Sequence, residues 1–222
     1  MLAYGGIFLM YLSIISYGVW TLNGVTEEKS NRVIELLLAT ARPWQLLAGK
    51  ILGISALGLG QFALTVTAAL IAIRVTGAFG LPTVPIDLLG VILLWVVLGF
   101  GVYMVVCGAA GALASRMEDA QSVMTPITML AIVSFFISLQ VLNDPDGVLG
   151  VVTTFVPVTA PFVVPVRAAF GVLPVWQHIL AVLVALVAVV GLMWIGGRVY
   201  AGGALRFGGK IGWREAYRSA EG

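Results

Sequence analysis

Residues Gly147–Val166, GVLGVVTTFVPVTAPFVVPV, are apolar and long enough to cross a bilayer, and whether they do so sets the topology of the whole chain. A span needs about 20 largely apolar residues, because the hydrocarbon core is roughly 30 Å thick and a helix rises about 1.5 Å per residue. The segment carries Pro157, Pro161 and Pro165, each of which removes a backbone donor and restricts the residue before it. In lipid the carbonyls freed by three such breaks find no water. Charge placement argues the same way. With five spans elsewhere, one side of the membrane holds Lys29, Arg32, Arg42, Lys50, Arg116, Arg198, Arg206, Lys210, Arg214 and Arg218, and the other holds only Arg74 and Arg167. Ten basic residues against two is the asymmetry expected of a correct topology, and a sixth span would invert it. The segment therefore reads as a broken, re-entrant or interfacial hairpin on the outer face, extending over 147–171.

Working outward, the expected spans are about 2–24, 46–73, 88–114, 121–142 and 174–199, with the amino end outside and a cytoplasmic tail over 200–222. The fold class is an all-α integral membrane protein in a single transmembrane unit, 1–222. Composition agrees: 60% of residues are hydrophobic and 10% charged, against about 25% charged in soluble domains. The net charge of +2 is too small to imply a nucleic-acid partner, and the single Cys107 excludes a disulfide framework. The first basic residue, Lys29, follows the first apolar run, so that run reads as a retained span and not a cleaved leader. An odd span count beginning at Met1 points to a fragment or half of something larger, or to a shortened chain.

The one strongly charged segment is TEEKSNRVIELLLATARPWQLLAGK, Thr26–Lys50. Thr26 reads as an N-cap with Glu27 and Glu28 in a first turn, opening a separate amphipathic helix over 26–42. Glu28, Arg32 and Glu35 fall at i, i+4 and i+7 on a polar face, opposite an apolar stripe of Ile34, Leu37, Leu38 and Ala41. Pro43 stops this helix and suits the first turn of the next, while Lys50 snorkels at the start of the following span. A helix lying on the inner leaflet without a partner is one reading. Its balanced charge and its rigid connection to spans on both sides favour a lever instead.

GVTEEKSNRVIELLLATARPWQLLAGKILGI, 24–54, resembles the signature of permease subunits of the type-2 ATP-binding-cassette exporters, especially the sodium-efflux-like branch. SRMEDAQ at 115–121, FVPVTAPFVVPVR at 155–167 and VYAGGALRFGGKIGW at 199–213 resemble the second inner loop, outer hairpin and carboxyl end of that family. The resemblance implies that 26–42 is a coupling helix docking on a cytoplasmic ATPase, with Glu27, Glu28, Lys29, Asn31, Arg32, Glu35 and Leu36 facing or bracing it. Arg116, Glu118 and Asp119 would add contacts from the second inner loop. ATP and magnesium would be bound by the ATPase, with no cofactor in this chain. A second permease copy or homologue would complete a dimer in the inner (plasma) membrane. Family members commonly carry a further span and a large outer domain ahead of the position of Met1. Their absence here puts autonomous transport in doubt and leaves a truncated or non-transporting assembly partner as the alternative.

Enzyme signatures are missing: the sequence holds no HExxH, GxSxG or Walker-type phosphate loop. No catalytic or metal-binding residue is expected. Gln61 and Thr65, with Thr67 nearby, are the mid-span polar groups available to a substrate path, although most such residues make interhelical hydrogen bonds. No acidic residue sits mid-span, which argues against proton- or sodium-coupled secondary transport. His178, beside Trp176, reads as interfacial and Cys107 as packing. Gly49 with Gly53, and Gly108 with Gly111, Ala112 and Ser115, are small-residue faces serving either packing within one chain or dimerisation. Arg206, Lys210, Arg214 and Arg218 read as leaflet-binding.

Overall fold

The computed structural model describes residues 2–31, 41–76 and 85–204. Among these the chain is helical throughout: α1 (Leu2–Ser30), α2 (Pro43–Thr76), α3 (Ile86–Gly111), α4 (Met117–Val141), α5 (Val148–Thr154), α6 (Ala160–Ala169) and α7 (Val175–Ala204). Five of these, α1–α4 and α7, are long and apolar enough to cross a membrane. All-α membrane architecture with five spanning helices is thus the fold.

The bundle is organised around α3. Half of its most apolar stretch is buried inside the chain, against 11% for α2 and 17% for α7, so α3 is the internal helix and the other two present most of their surface outward. Its sequence is apolar all round, as a helix enclosed by neighbours must be. Phe100, Tyr103 and Met104 of α3 pack with Ile14, Tyr17 and Leu22 of α1 and Leu47 of α2 in one continuous core. Close approach of α1 and α3 depends on Gly111, where a Cβ would lie 2.6 Å from the backbone oxygen of Leu22.

Residues 147–166 form no single span. They make α5 and α6, joined by a bend over 155–159. Tyr103 donates to the Val158 carbonyl at 3.0 Å, and a Cβ on Gly99 would come within 2.9 Å of Pro161. Since α3 runs from 86 to 111, that bend reaches roughly the middle of the central helix before the chain turns back. The prolines suit this path: Pro161 lies in the first turn of α6, where a missing N–H costs nothing. The end of α5 is satisfied from within the bend, with the Thr159 hydroxyl donating to Thr153 O at 2.7 Å.

One local expectation is corrected. Thr26 does not cap a new helix; α1 runs unbroken to Ser30, and Thr26 is fully buried inside it. Its hydroxyl shares a proton between Leu22 O at 3.0 Å and Gly111 O at 3.1 Å, so the partner it was expected to find in its own next turn is supplied by α1 and α3. Glu27 and Glu28 accordingly end a helix and do not begin one. The remainder of the expected 26–42 helix, including Arg32, Glu35 and Leu36, lies outside the described residues, as do Arg206, Lys210, Arg214 and Arg218.

Candidate functional site

The carboxyl end of α1 meets the start of α2 and the end of α3 in a polar junction at one end of the bundle. Leu22, Val25, Thr26 and Lys29 fall at i, i+3, i+4 and i+7, and all four are buried. Lys29, with no exposed surface, donates from Nζ to Ala112 O at 2.7 Å. Thr26 and Lys29 together thus satisfy carbonyls at the carboxyl end of α3, which has no helical donors of its own to offer them. A cation there also complements the α3 dipole.

Glu28 turns the other way, toward α2, where its Oε1 lies 2.6 Å from Lys50 Nζ. Lys50 therefore pairs across helices as well as marking the return into the membrane. Glu27 and Asn31 are exposed, and Glu27 O accepts both the Asn31 N–H and the Ser30 hydroxyl at 3.0 Å. Of the residues expected to face or brace a partner, the structure leaves Glu27 and Asn31 facing outward and makes Lys29 an internal brace.

The loop after α3 starts at the carbonyl that Lys29 holds. Arg116 is extended and exposed at the amino end of α4, and Glu118 and Asp119 occupy the first turn of α4, where negative charge is favoured. The end of α1 and the end of α3, which lead into the two loop regions singled out from sequence, are thereby tied together through Lys29 and Ala112.

The other sequence-derived residues lie elsewhere. Gln61 accepts a hydrogen bond from Tyr17, linking α2 to α1, while Thr65 and Thr67 donate to carbonyls one turn back at 2.9 and 2.8 Å. Gln61 and Thr65 sit on the outward surface of α2. The two small-residue faces separate cleanly. Gly108 and Gly111 are filled by α1 and α2, whereas a Cβ at Gly49, Gly53 or Gly60 meets nothing within 4 Å among the described residues. Cys107 is buried against Gly18, with its Sγ 3.0 Å from where a Cβ would stand.

At the opposite end, sequence reasoning missed a second polar centre. Arg167 on α6 has no exposed surface. Its Nε donates to Pro145 O at 2.9 Å, NH1 to Thr154 Oγ1 at 2.9 Å and Gln177 Oε1 at 2.8 Å, and NH2 to Val172 O at 3.4 Å and Asp146 Oδ1 at 3.5 Å. One side chain thus joins the turn after α4, both hairpin helices and the start of α7. Burial presses its guanidinium toward the neutral form, and the Asp146 carboxylate opposes that. The nearby His178 lies with its ring 6.3 Å from that of Trp95, while Trp176 stacks on Phe155 at 6.5 Å.

Comparison with known families decides what kind of bundle this is. The family model described as ABC-2 family transporter protein matches residues 2–198. The chain belongs to the ABC-2 family of transporter proteins. It is 30% identical over 217 residues to the uncharacterized protein YhaP of Bacillus subtilis (strain 168), covering 93% of this chain and 52% of that protein. It is 33% identical over 190 residues to the uncharacterized protein MJ1024 of Methanocaldococcus jannaschii, covering 86% of this chain and 46% of that protein. The chain therefore spans about half the length of the curated relatives it matches. No solved structure matches it. As an ABC-2 membrane component the chain is a multi-pass membrane protein of the transport class, and its junction is to be understood in that setting.

Proposed function

We propose that the chain is the membrane-spanning permease part of an ATP-driven exporter, moving an ion, drug or lipid-like compound outward under the drive of a separate ATPase. The ATPase binds ATP and magnesium and docks at the junction end, on 26–42 and 115–120, which is the cytoplasmic side. The observation that supports this reading is the Lys29–Ala112 bond, because it fastens the end of α1, which opens the first of these regions, to the end of α3, which leads into the second. Force applied to either reaches α1, α2 and α3 together. The outward Gly49, Gly53 and Gly60 face of α2 suits a second permease copy, since small residues allow close helix approach in lipid.

Charge reversal tests the coupling. Glu28→Lys or Lys50→Glu alone places like charges side by side in a partly screened site, and each should cut substrate-stimulated ATP turnover of the assembled complex several-fold. The double reversal should restore most of it. If both single variants turn over like the wild type, the junction does not transmit the stroke.

Orientation is tested by labelling. A cysteine replacing Val148, 80% exposed at the start of α5, should react with an impermeant maleimide added outside intact cells. The buried Cys107 supplies no background. Labelling only after permeabilisation would place the hairpin inside.

A further inference from the structure

Three sulfur-bearing side chains converge on α1 where Gly18 leaves it bare. From the point where a Cβ on Gly18 would stand, Cys107 Sγ lies at 3.0 Å, the Met124 terminal methyl at 3.5 Å and the Met104 terminal methyl at 3.7 Å. Met104 is fully buried, and Cys107 and Met124 are nearly so. Met104 and Cys107 stand three residues apart on α3, hence on one face of it, and Met124 reaches the same spot from α4.

Methionine often fills gaps in a core, but here the sulfurs are also uncommitted. Among the described residues the buried Cys107 thiol enters no hydrogen bond. Thr21 Oγ1 lies 3.3 Å from Met104 Sδ, yet that hydroxyl has one proton and a closer acceptor in Tyr17 O at 2.8 Å. The lone pairs of the thioether therefore stay available. Its unbranched side chain lets the sulfur turn inward without moving the backbone.

Donor type and charge select the same ion. Thiolate and thioether ligands favour copper(I), while hard cations need oxygen. One thiolate and two neutral thioethers cancel a single positive charge. A divalent ion would leave a net charge among apolar side chains, which is costly. Among the described residues no group of His, Cys, Asp and Glu offers a harder alternative.

We propose that Cys107, Met104 and Met124 form a site for one soft monovalent cation, copper(I), held between α3 and α4 against Gly18. On binding, the Cys107 S–H bond breaks, its proton leaves to solvent, and a sulfur–copper bond forms with no change in the oxidation state of the metal. The bound ion fastens α3 to α4. Nothing in the site depends on a docked ATPase, so its test needs only the full chain.

The full-length protein, purified in detergent without oxygen, is titrated with copper(I) against a chromophoric copper(I) chelator. The wild type should bind one ion per chain. Cys107→Ala should weaken binding by more than about 100-fold, beyond the usual cost of losing an outer partner, and Met104→Leu and Met124→Leu by about 10–100-fold each. Leucine nearly conserves the volume of methionine, so both leucine variants should fold and melt cooperatively without copper. Met129→Leu, on the outward surface of α4, should bind as the wild type does. X-ray absorption at the copper edge should show sulfur neighbours alone. Absence of binding by the wild type, binding that survives Cys107→Ala, wild-type affinity in either Met104→Leu or Met124→Leu, or nitrogen or oxygen neighbours on the metal each overturn the proposal.

Discussion

Replacing Arg167 with methionine is expected to lower the melting temperature of the purified protein by about 10 °C, the shift corresponding to roughly 3–5 kcal/mol in a chain of this size. The substitution keeps the apolar stem and deletes all five donors. Pro145 O, Val172 O, Gln177 Oε1 and Thr154 Oγ1 would lose the bonds that the buried guanidinium donates. Arg167→Lys should recover only part of the loss, because an ammonium offers three donors from one point and cannot span acceptors on opposite sides. Asp146→Asn should cost little. Asp146 is largely exposed and sits at 3.5 Å, so solvent screens most of that attraction. A methionine variant melting within about 2 °C of wild type would show that the hairpin is held by its apolar packing alone. A large Asp146→Asn effect would shift the weight from the hydrogen-bond fan to the ion pair.

Gly111→Ala is expected to be the most damaging single-methyl change in the bundle. The new Cβ would meet backbone, the Leu22 oxygen at 2.6 Å, and the Val25 Cβ at 2.9 Å. Neither can swing aside, so α1 must move off α3. That movement lengthens the Thr26–Gly111 and Lys29–Ala112 bonds together. Overpacking of this kind costs about 1–3 kcal/mol, and the coupled loss of two buried bonds adds to it. Gly49→Ala makes the same chemical change on α2 where nothing among the described residues lies within 4 Å, and there alanine's better helix propensity should leave stability unchanged or raised by up to about 1 kcal/mol. Equal behaviour of the two variants in thermal melts would mean that α1 and α3 can separate freely at the junction.

These two positions mark where one-dimensional reading was strong and where it was weak. The broken path of 147–166 was legible because three prolines in lipid have a local cost that no distant contact removes. The span count was legible for the same kind of reason, since hydropathy and helix length against bilayer thickness involve only neighbouring residues. Thr26 was misread. A threonine followed by two glutamates has the composition of a helix start, and that pattern competed with the continuing i, i+3, i+4, i+7 stripe of Leu22, Val25, Thr26 and Lys29. The stripe was the better signal, because burying it against α3 outweighs the roughly 1 kcal/mol that a cap supplies. Lys29 and Arg167 were counted as charges on two membrane sides, and nothing in their flanking residues revealed that both are enclosed.

By itself, then, the sequence determined that this chain is helical with five helices long and apolar enough to span a membrane and a break within 147–166, because apolar length and proline chemistry act locally. Only the tertiary structure decided which polar groups meet. Thr26 reaches Gly111 and Lys29 reaches Ala112 across 85 and 83 residues of chain, while Arg167 gathers acceptors from four separate segments. Such bonds depend on which helices become neighbours and at what rotation. That choice is made by packing around the central α3, where Gly111 allows a close approach that a side chain would forbid.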